Sequence, residues 1–414
     1  MNIIFLSIGE LSNLGENAVY PDLLRYFRDN GHSVHVVCQR EKRSGLPTEM
    51  LIEHGMKVLR VRTGNITKTN IIEKGIATLM IGTQFKYAIN KYFGSIKFDL
   101  VLYSTPPITI VNTVSYIKQR DNAYSYLMLK DIFPQNALDI CLLKKTGWKG
   151  LATRYFFAKE KDLYMLSDHI GCMSEANVNY LKKNNSYLED DKIDVCPNTI
   201  DPIEICDVDK NILREKYKLP KNKIIFVYGG NFGKPQDVNY IIEVLKSNEK
   251  NINCHFVMCG SGTDFHKVKE YGESSNSNHI KVINSLSKKE YSELLDACDV
   301  GLIFLDHRFT IPNFPSRLLD YMNHRLPVIA STDKNTDVGE VITSGGFGWW
   351  CESNDVNKFN SILNNIISNP MLIREKGNLG RMYLENNYHT RIAYERIISA
   401  YNSSNRRMED NSNV

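Results

Sequence analysis

The chain lacks the marks of several common enzyme classes. Its nine cysteines form no C-x-x-C pair, and Cys38, Cys172, Cys254 and Cys259 sit inside apolar runs, so they read as small buried hydrophobes in a reducing compartment. No Asp-x-Asp stands in a plausible site, and His32, His35 and His54 show no ligand spacing with cysteines or carboxylates, so no catalytic metal or other cofactor is expected. P-loop and dinucleotide-fingerprint spacings are absent, which argues against ATP hydrolysis and NAD chemistry. No apolar stretch is long enough to span a bilayer, and the N-terminus runs straight into Ile3–Leu6 without a basic leader. A cytoplasmic protein is the expectation.

What is present is a large apolar fraction and an uneven charge. Hydrophobic residues make up 42% of 414 positions, enough for two α/β cores. Residues 51–150 hold 14 Lys and Arg against 6 Asp and Glu, whereas residues 201–414 hold 26 against 27. The N-terminal excess suits an anionic membrane surface or a diphosphate-bearing acceptor, or is simply a solvated lysine-rich face; no nucleic-acid partner is expected. Within it, Ile71 to Phe93 carries apolar residues at helical spacing with Lys68, Lys74, Lys86 and Lys91 around them. That pattern fits either a core helix or peripheral contact with the inner face of the plasma membrane.

Strand-like and helix-like segments alternate throughout. Ile3–Ile8, a helix near Asn17–Asn30, Gly31 and the strand Ser33–Cys38 make a βαβ opening. Further strands are predicted at Lys57–Val61, Leu100–Ser104, Tyr124–Leu129 and His169–Met173. A second series runs through Lys223–Tyr228, His255–Cys259, Ile280–Ile283, Val300–Leu305 and Val328–Ala330. Two series imply an α/β fold of two doubly wound, Rossmann-like domains, joined near PNTIDP at Pro197–Pro202. The predicted boundaries are 1–198 and 199–384, with a helix at about 385–402 packing back on the first domain and a flexible polar tail at 403–414.

The most informative stretch is FTIPNFPSRLLDYMNHRLPVIAS, Phe309 to Ser331. A helix opening at Pro315 and Ser316 after the strand Val300–Leu305 places Arg317 and Asp320 at the ligand-binding edge of a parallel sheet, which suits a phosphate beside a ribose diol. The plainer alternative is a surface ion pair between Arg317 and Asp320. GGNFGKPQ, Gly229 to Gln236, follows another strand; glycines such as Gly230 admit a phosphate to the backbone, and Lys234 adds a positive charge beside Asn231. Gly260-Ser261-Gly262 is a second strand-end turn. In LKDIFPQNALDICLL, Asp131 follows a strand directly and is either an acid/base or acceptor-positioning group or a helix N-cap. Gly9 and Gly15 lie in the first loop, and Ser104–Pro107 ends a strand.

These motifs, in this order, resemble the family 4 glycosyltransferases of the GT-B fold, in which two Rossmann-like domains face each other across a cleft. The similarity is to a bacterial surface-polysaccharide branch with a Pro-Ser-Lys/Arg motif, matched by Pro315-Ser316-Arg317. In that family two Glu residues, seven positions apart, mark the donor site; Asp320 takes the second place and Pro312 stands at the first. The resemblance assigns Lys234 and Arg317 to the donor diphosphate, Asn231 to a position usually held by Arg, and Asp320 to the ribose. It puts Gly260 and Gly262 beneath the base and Gly15 against the phosphates. Asp131-Ile132-Phe133-Pro134 is similar to the branch's Asp-Leu-Trp-Pro, which makes Asp131 the acid/base candidate.

What the resemblance implies is a retaining, metal-independent transfer of a sugar from a UDP-sugar to a polyprenyl-diphosphate-linked glycan in capsule or O-antigen assembly. The sugar expected is an N-acetylhexosamine or a deoxy derivative. The alternatives are a non-hydrolysing UDP-sugar epimerase, which shares the two-lobed architecture, and a non-catalytic sugar-nucleotide-binding partner of another transferase, to which Pro312 and Asn231 point.

Overall fold

Runs of β-branched and aromatic residues bounded by turn formers become the strands of two sheets whose central strands are buried on both faces, as parallel sheets require. In the computed structural model, which describes residues 1–67, 69–204, 209–274 and 279–412, the chain divides into two units, Met1–Asp201 with Thr390–Val414, and Pro202–His389.

The first unit holds β1 (Asn2–Ser7), β2 (Ser33–Glu41), β3 (Glu49–Glu53), β4 (Met56–Thr63), β5 (Leu100–Ser104), β6 (Tyr124–Leu129), β7 (His169–Cys172) and β8 (Ile193–Val195). Their order is β3-β4-β2-β1-β5-β6-β7-β8, and every pairing is parallel except β3 with β4. The chain reverses its winding between β1 and β5, which creates a crevice at their C-terminal ends. Phe5, Leu24, Phe27, Val36 and Tyr126 form the core, and Ala393 and Ile397 of the last helix pack into it. That last helix belongs to the first unit for this reason.

The second unit holds β9 (Ile224–Asn231), β10 (Cys254–Ser261), β11 (Ile280–Asn284), β12 (Val300–Phe304), β13 (Val328–Thr332) and β14 (Gly348–Glu352), all parallel in the order β11-β10-β9-β12-β13-β14. Here the winding reverses between β9 and β12. Phe226, Tyr228, Phe256, Phe304 and Phe359 anchor the core.

Several expectations need correction. β3, β8 and β14 fall outside the predicted strands; they are short, sit at sheet edges and depend on a neighbour more than on their own pattern. The last helix begins at Thr390 and runs to Ser412, so most of the stretch expected as a flexible tail is helical; it contains no Pro or Gly to stop the helix. The helix expected to open at Pro315 opens at Arg317, and Ser316 makes no side-chain cap.

Candidate functional site

In the second unit, the loops after β9 and β12 meet at the point where the winding reverses. The Asp306 N–H donates to the Pro235 carbonyl at 3.0 Å, which ties the two loops together. Gly230 has a φ of +130° and its backbone lies beside Arg317: a Cβ there would come within 3.3 Å of Nη2. Gly260 and Gly262, with φ of +154° and +148°, face the same loop from β10, where a Cβ would overlap the carbonyl oxygens of Gly230 and Phe232 respectively. Backbone packing therefore demands glycine at both positions, whatever lies above them. The Phe232 N–H donates to the Ser261 carbonyl at 2.7 Å and fixes one turn on the other.

Arg317 is the unusual group here. Its guanidinium lies over the Tyr228 ring, 4.3 Å from the centroid, with Tyr291 and Tyr321 close by. It makes no ion pair among the described residues, and Nη1 is enclosed without a hydrogen-bond partner. The Tyr321 hydroxyl, on the next turn, donates to the Leu302 carbonyl at 3.0 Å and accepts from the Gly229 N–H at 3.2 Å. One guanidinium nitrogen is thus enclosed without a partner in a side chain that is otherwise only half-buried.

Asp320 does not pair with Arg317. Its Oδ1 takes Lys288 Nζ at 2.7 Å, which removes the surface-pair alternative. Lys234 is exposed and makes no ion pair among the described residues, while Asn231 donates to Gln236 Oε1 at 2.9 Å. The loop that carries Pro312 and Pro315 is braced from beyond β13: Asn335 Nδ2 donates to the Phe309 carbonyl at 2.5 Å, and Thr336 Oγ1 to the Asn313 carbonyl at 2.6 Å. Asp333 holds the brace by accepting from the Asn335 and Thr336 N–H groups, and burial pushes its carboxyl up to about 6.

In the first unit, Asp131 lies just beyond β6. Desolvation pushes its carboxyl up to about 6, and no side-chain hydrogen bond offsets this. The N-cap alternative fails, because the short helix Gln135–Asp139 has Pro134 at its N-cap position. Thr105 Oγ1 donates to the Asp131 carbonyl at 3.2 Å, which draws the ends of β5 and β6 together. Tyr20, from the helix Val19–Asp29, joins them; its hydroxyl, pushed up to about 12 by burial, bonds the Ser104 side chain and feels the Asp131 charge. Lys130 Nζ is enclosed and unpartnered, and burial lowers it to about 8. Gly15 donates its N–H to Asn13 Oδ1 at 2.8 Å and packs on His54, where a Cβ would approach Nε2 to 2.6 Å.

Residues 209–383 match the family model described as glycosyl transferases group 1. The second unit therefore carries a glycosyl transferases group 1 domain. It is 23% identical over 333 residues to a probable glycosyltransferase, WbjE, of Pseudomonas aeruginosa, covering 80% of each chain. Among solved structures, it superposes on sucrose-phosphate synthase of Thermosynechococcus elongatus with a TM-score of 0.75 at 14% identity, covering 97% of this chain and 98% of that one. HepE of Anabaena, in complex with UDP-glucose, gives 0.70 at 14% identity, covering 97% and 100%. The fold is GT-B: two parallel-sheet α/β domains.

Four residues at these loops carry no mark in the sequence. Tyr228 lies in an apolar strand run, Lys288 beside a second lysine, Tyr291 within the same helix and Tyr20 in the helix Val19–Asp29, and none has a motif around it. Only the fold of each unit brings Tyr228, Tyr291 and Lys288 beside Arg317 and Asp320, and Tyr20 beside Ser104 and Asp131. Asp237, Asp306 and His307 also converge, with ligand atoms within 4.8 Å of one another, although Arg308 already neutralises Asp306 at 2.5 Å. A cavity of about 840 Å³, lined by Arg214, Lys223, Arg325 and Arg374, lies at the opposite edge of the second sheet, near the starts of β9 and β12. It is remote from these loops.

Proposed function

We propose that the protein transfers a sugar, an N-acetylhexosamine or a deoxy derivative, from a UDP-sugar to a polyprenyl-diphosphate-linked glycan in capsule or O-antigen assembly, with retention of anomeric configuration. The observation that carries this reading is the half-buried guanidinium of Arg317, with Nη1 enclosed and unpartnered and no ion pair among the described residues, beside the Gly230 backbone at the reversal point of the second sheet. That is where α/β folds bind ligands, and a diphosphate is the anion that fits a fixed cation beside open backbone N–H groups.

Arg317, Lys234 and the loop N–H groups stabilise the departing UDP, while Asp320 takes the ribose diol. Pro315 and Ser316 shape the entry to Arg317, and Asn231, Gly260 and Gly262 shape the loops below. Asp131, raised towards neutrality, assists deprotonation of the acceptor hydroxyl, with Tyr20 and Ser104 holding its surroundings. No cofactor and no metal enter this scheme. A cytoplasmic site of action follows from a nucleotide-sugar donor. Support for the donor comes from HepE, solved with UDP-glucose, and support for the pathway from WaaG, described as a glycosyltransferase involved in lipopolysaccharide biosynthesis.

The test is a panel of UDP-sugars screened by thermal shift, with mass spectrometry of products formed in lipid extracts. A glycosylated lipid with release of UDP is the expected outcome. Conversion of UDP-sugar without an acceptor would instead favour the epimerase, and binding without turnover the non-catalytic partner.

A further inference from the structure

The helix Ile71–Phe93 divides cleanly into two faces. Ala77, Ile81, Phe85, Ala88, Ile89 and Phe93 are buried against the first unit. On the other side, Ile76, Leu79, Met80 and Tyr87 are 60%, 51%, 48% and 72% exposed, a spacing of three, one and seven residues that keeps them along one outward stripe. Lys86 and Lys91 are exposed at the margins of that stripe, with Lys86 Nζ over the Tyr116 ring, 4.8 Å from its centroid. The helix's only acid, Glu73, is already taken by Lys42 at 3.0 Å, by Asn65 at 2.8 Å and by the Thr69 hydroxyl. A second helix, Gly147–Leu166, packs on the same turn, Ile108–Ile110, and adds Leu151, 68% exposed, with Arg154 and Tyr155.

We propose that this face is a docking surface for an anionic lipid bilayer. Four large apolar side chains along one exposed helix stripe can sink among acyl chains while the flanking lysines meet phosphate headgroups. Charge complementarity selects the partner, because the exposed ionic groups of the stripe are all positive and the surrounding hundred residues carry a surplus of eight positive charges. The surface rests on the transfer reading only for its purpose, access to an acceptor with a lipid tail. It involves none of the donor-site residues.

The probe is vesicles of phosphatidylglycerol mixed with phosphatidylcholine, against vesicles of phosphatidylcholine alone, with the full-length protein in co-sedimentation. The expected result is binding to the anionic vesicles that weakens with salt. Lys86→Gln with Lys91→Gln should lower the partition coefficient about 25-fold, at roughly fivefold per lysine near the surface. Leu79→Asn with Met80→Asn should lower it at least tenfold. All four positions are exposed, so the melting temperature and UDP affinity of both variants should match the parent.

Absence of binding to anionic vesicles, equal binding to neutral ones, or variants that bind like the parent would each overturn the proposal. So would a dimer in sedimentation equilibrium that Leu79→Asn with Met80→Asn dissociates, without vesicle binding; the occupant would then be a second copy. UDP binding in the same samples separates failure of this surface from failure of the transfer reading.

Discussion

The Arg317 guanidinium rests on the Tyr228 ring, 4.3 Å from its centroid, and no carboxylate of the described chain answers its charge. The ring fixes the plane of the guanidinium and leaves its edge for an anion. Arg317→Ala should weaken UDP binding by roughly 1.5–3 kcal/mol, or about 10- to 150-fold, and leave uridine nearly unchanged. Calorimetry with both ligands checks this, since equal losses would remove the phosphate role.

Asp320 and Lys288 make a partly exposed pair, so their mutual attraction is worth at most about 1 kcal/mol. Asp320→Asn should weaken UDP and uridine alike and spare 2′,3′-dideoxyuridine, because the carboxylate is assigned to the ribose diol. Lys288→Gln should weaken uridine at most about fivefold. A larger loss on titration would mean that Lys288 itself touches the nucleoside.

Gly260 is required by its neighbour's backbone. Adding a methyl group there meets the Gly230 carbonyl oxygen, at a φ that other residues rarely adopt. Gly260→Ala should lower stability by about 2 kcal/mol or more and weaken UDP binding as well, because relief of the overlap displaces the strand that presents Gly230 to Arg317. Denaturant unfolding and UDP titration of the same sample measure the two effects. A stable variant with parental affinity would show that the two loops give way easily.

Much of this architecture was legible because a parallel sheet writes itself as apolar runs. Leu100–Ser104 and Tyr124–Leu129 match their predicted limits, and Val300 and Val328 start their strands where expected. The glycine turns stood out because they sit at the ends of strands, and Arg317 because it follows Pro315-Ser316 at the start of a helix. Lys288, Tyr291 and Tyr20 carried no such mark. Their relevance comes from packing across distant segments, as when Lys288 of one helix reaches Asp320 of another. The Asp131 alternatives also depended on tertiary detail, because only the chain path through Pro134 shows that the aspartate caps nothing.

Asp131 gives the most discriminating prediction. Its carboxyl is raised by burial from 3.8 to about 6, so the folded protein holds that proton more tightly than the unfolded chain does. Stability contributed by the protonated form is therefore full below about pH 4 and is lost as pH rises through 6. Asp131→Asn removes this penalty and should stabilise the protein at pH 7 by about 1–3 kcal/mol, while flattening that part of the stability profile. The same change should lower transfer by about 10² to 10⁴ and spare UDP-sugar affinity. In the parent, kcat should rise with pH through about 6, since a base works ionised. A side chain that only supports the fold cannot give this combination: its loss would not raise stability and abolish turnover together. Unfolding curves between pH 4 and 8, set beside turnover of a lipid acceptor at saturating donor, decide the matter, and near-normal turnover by the Asn variant would send the search for the base elsewhere.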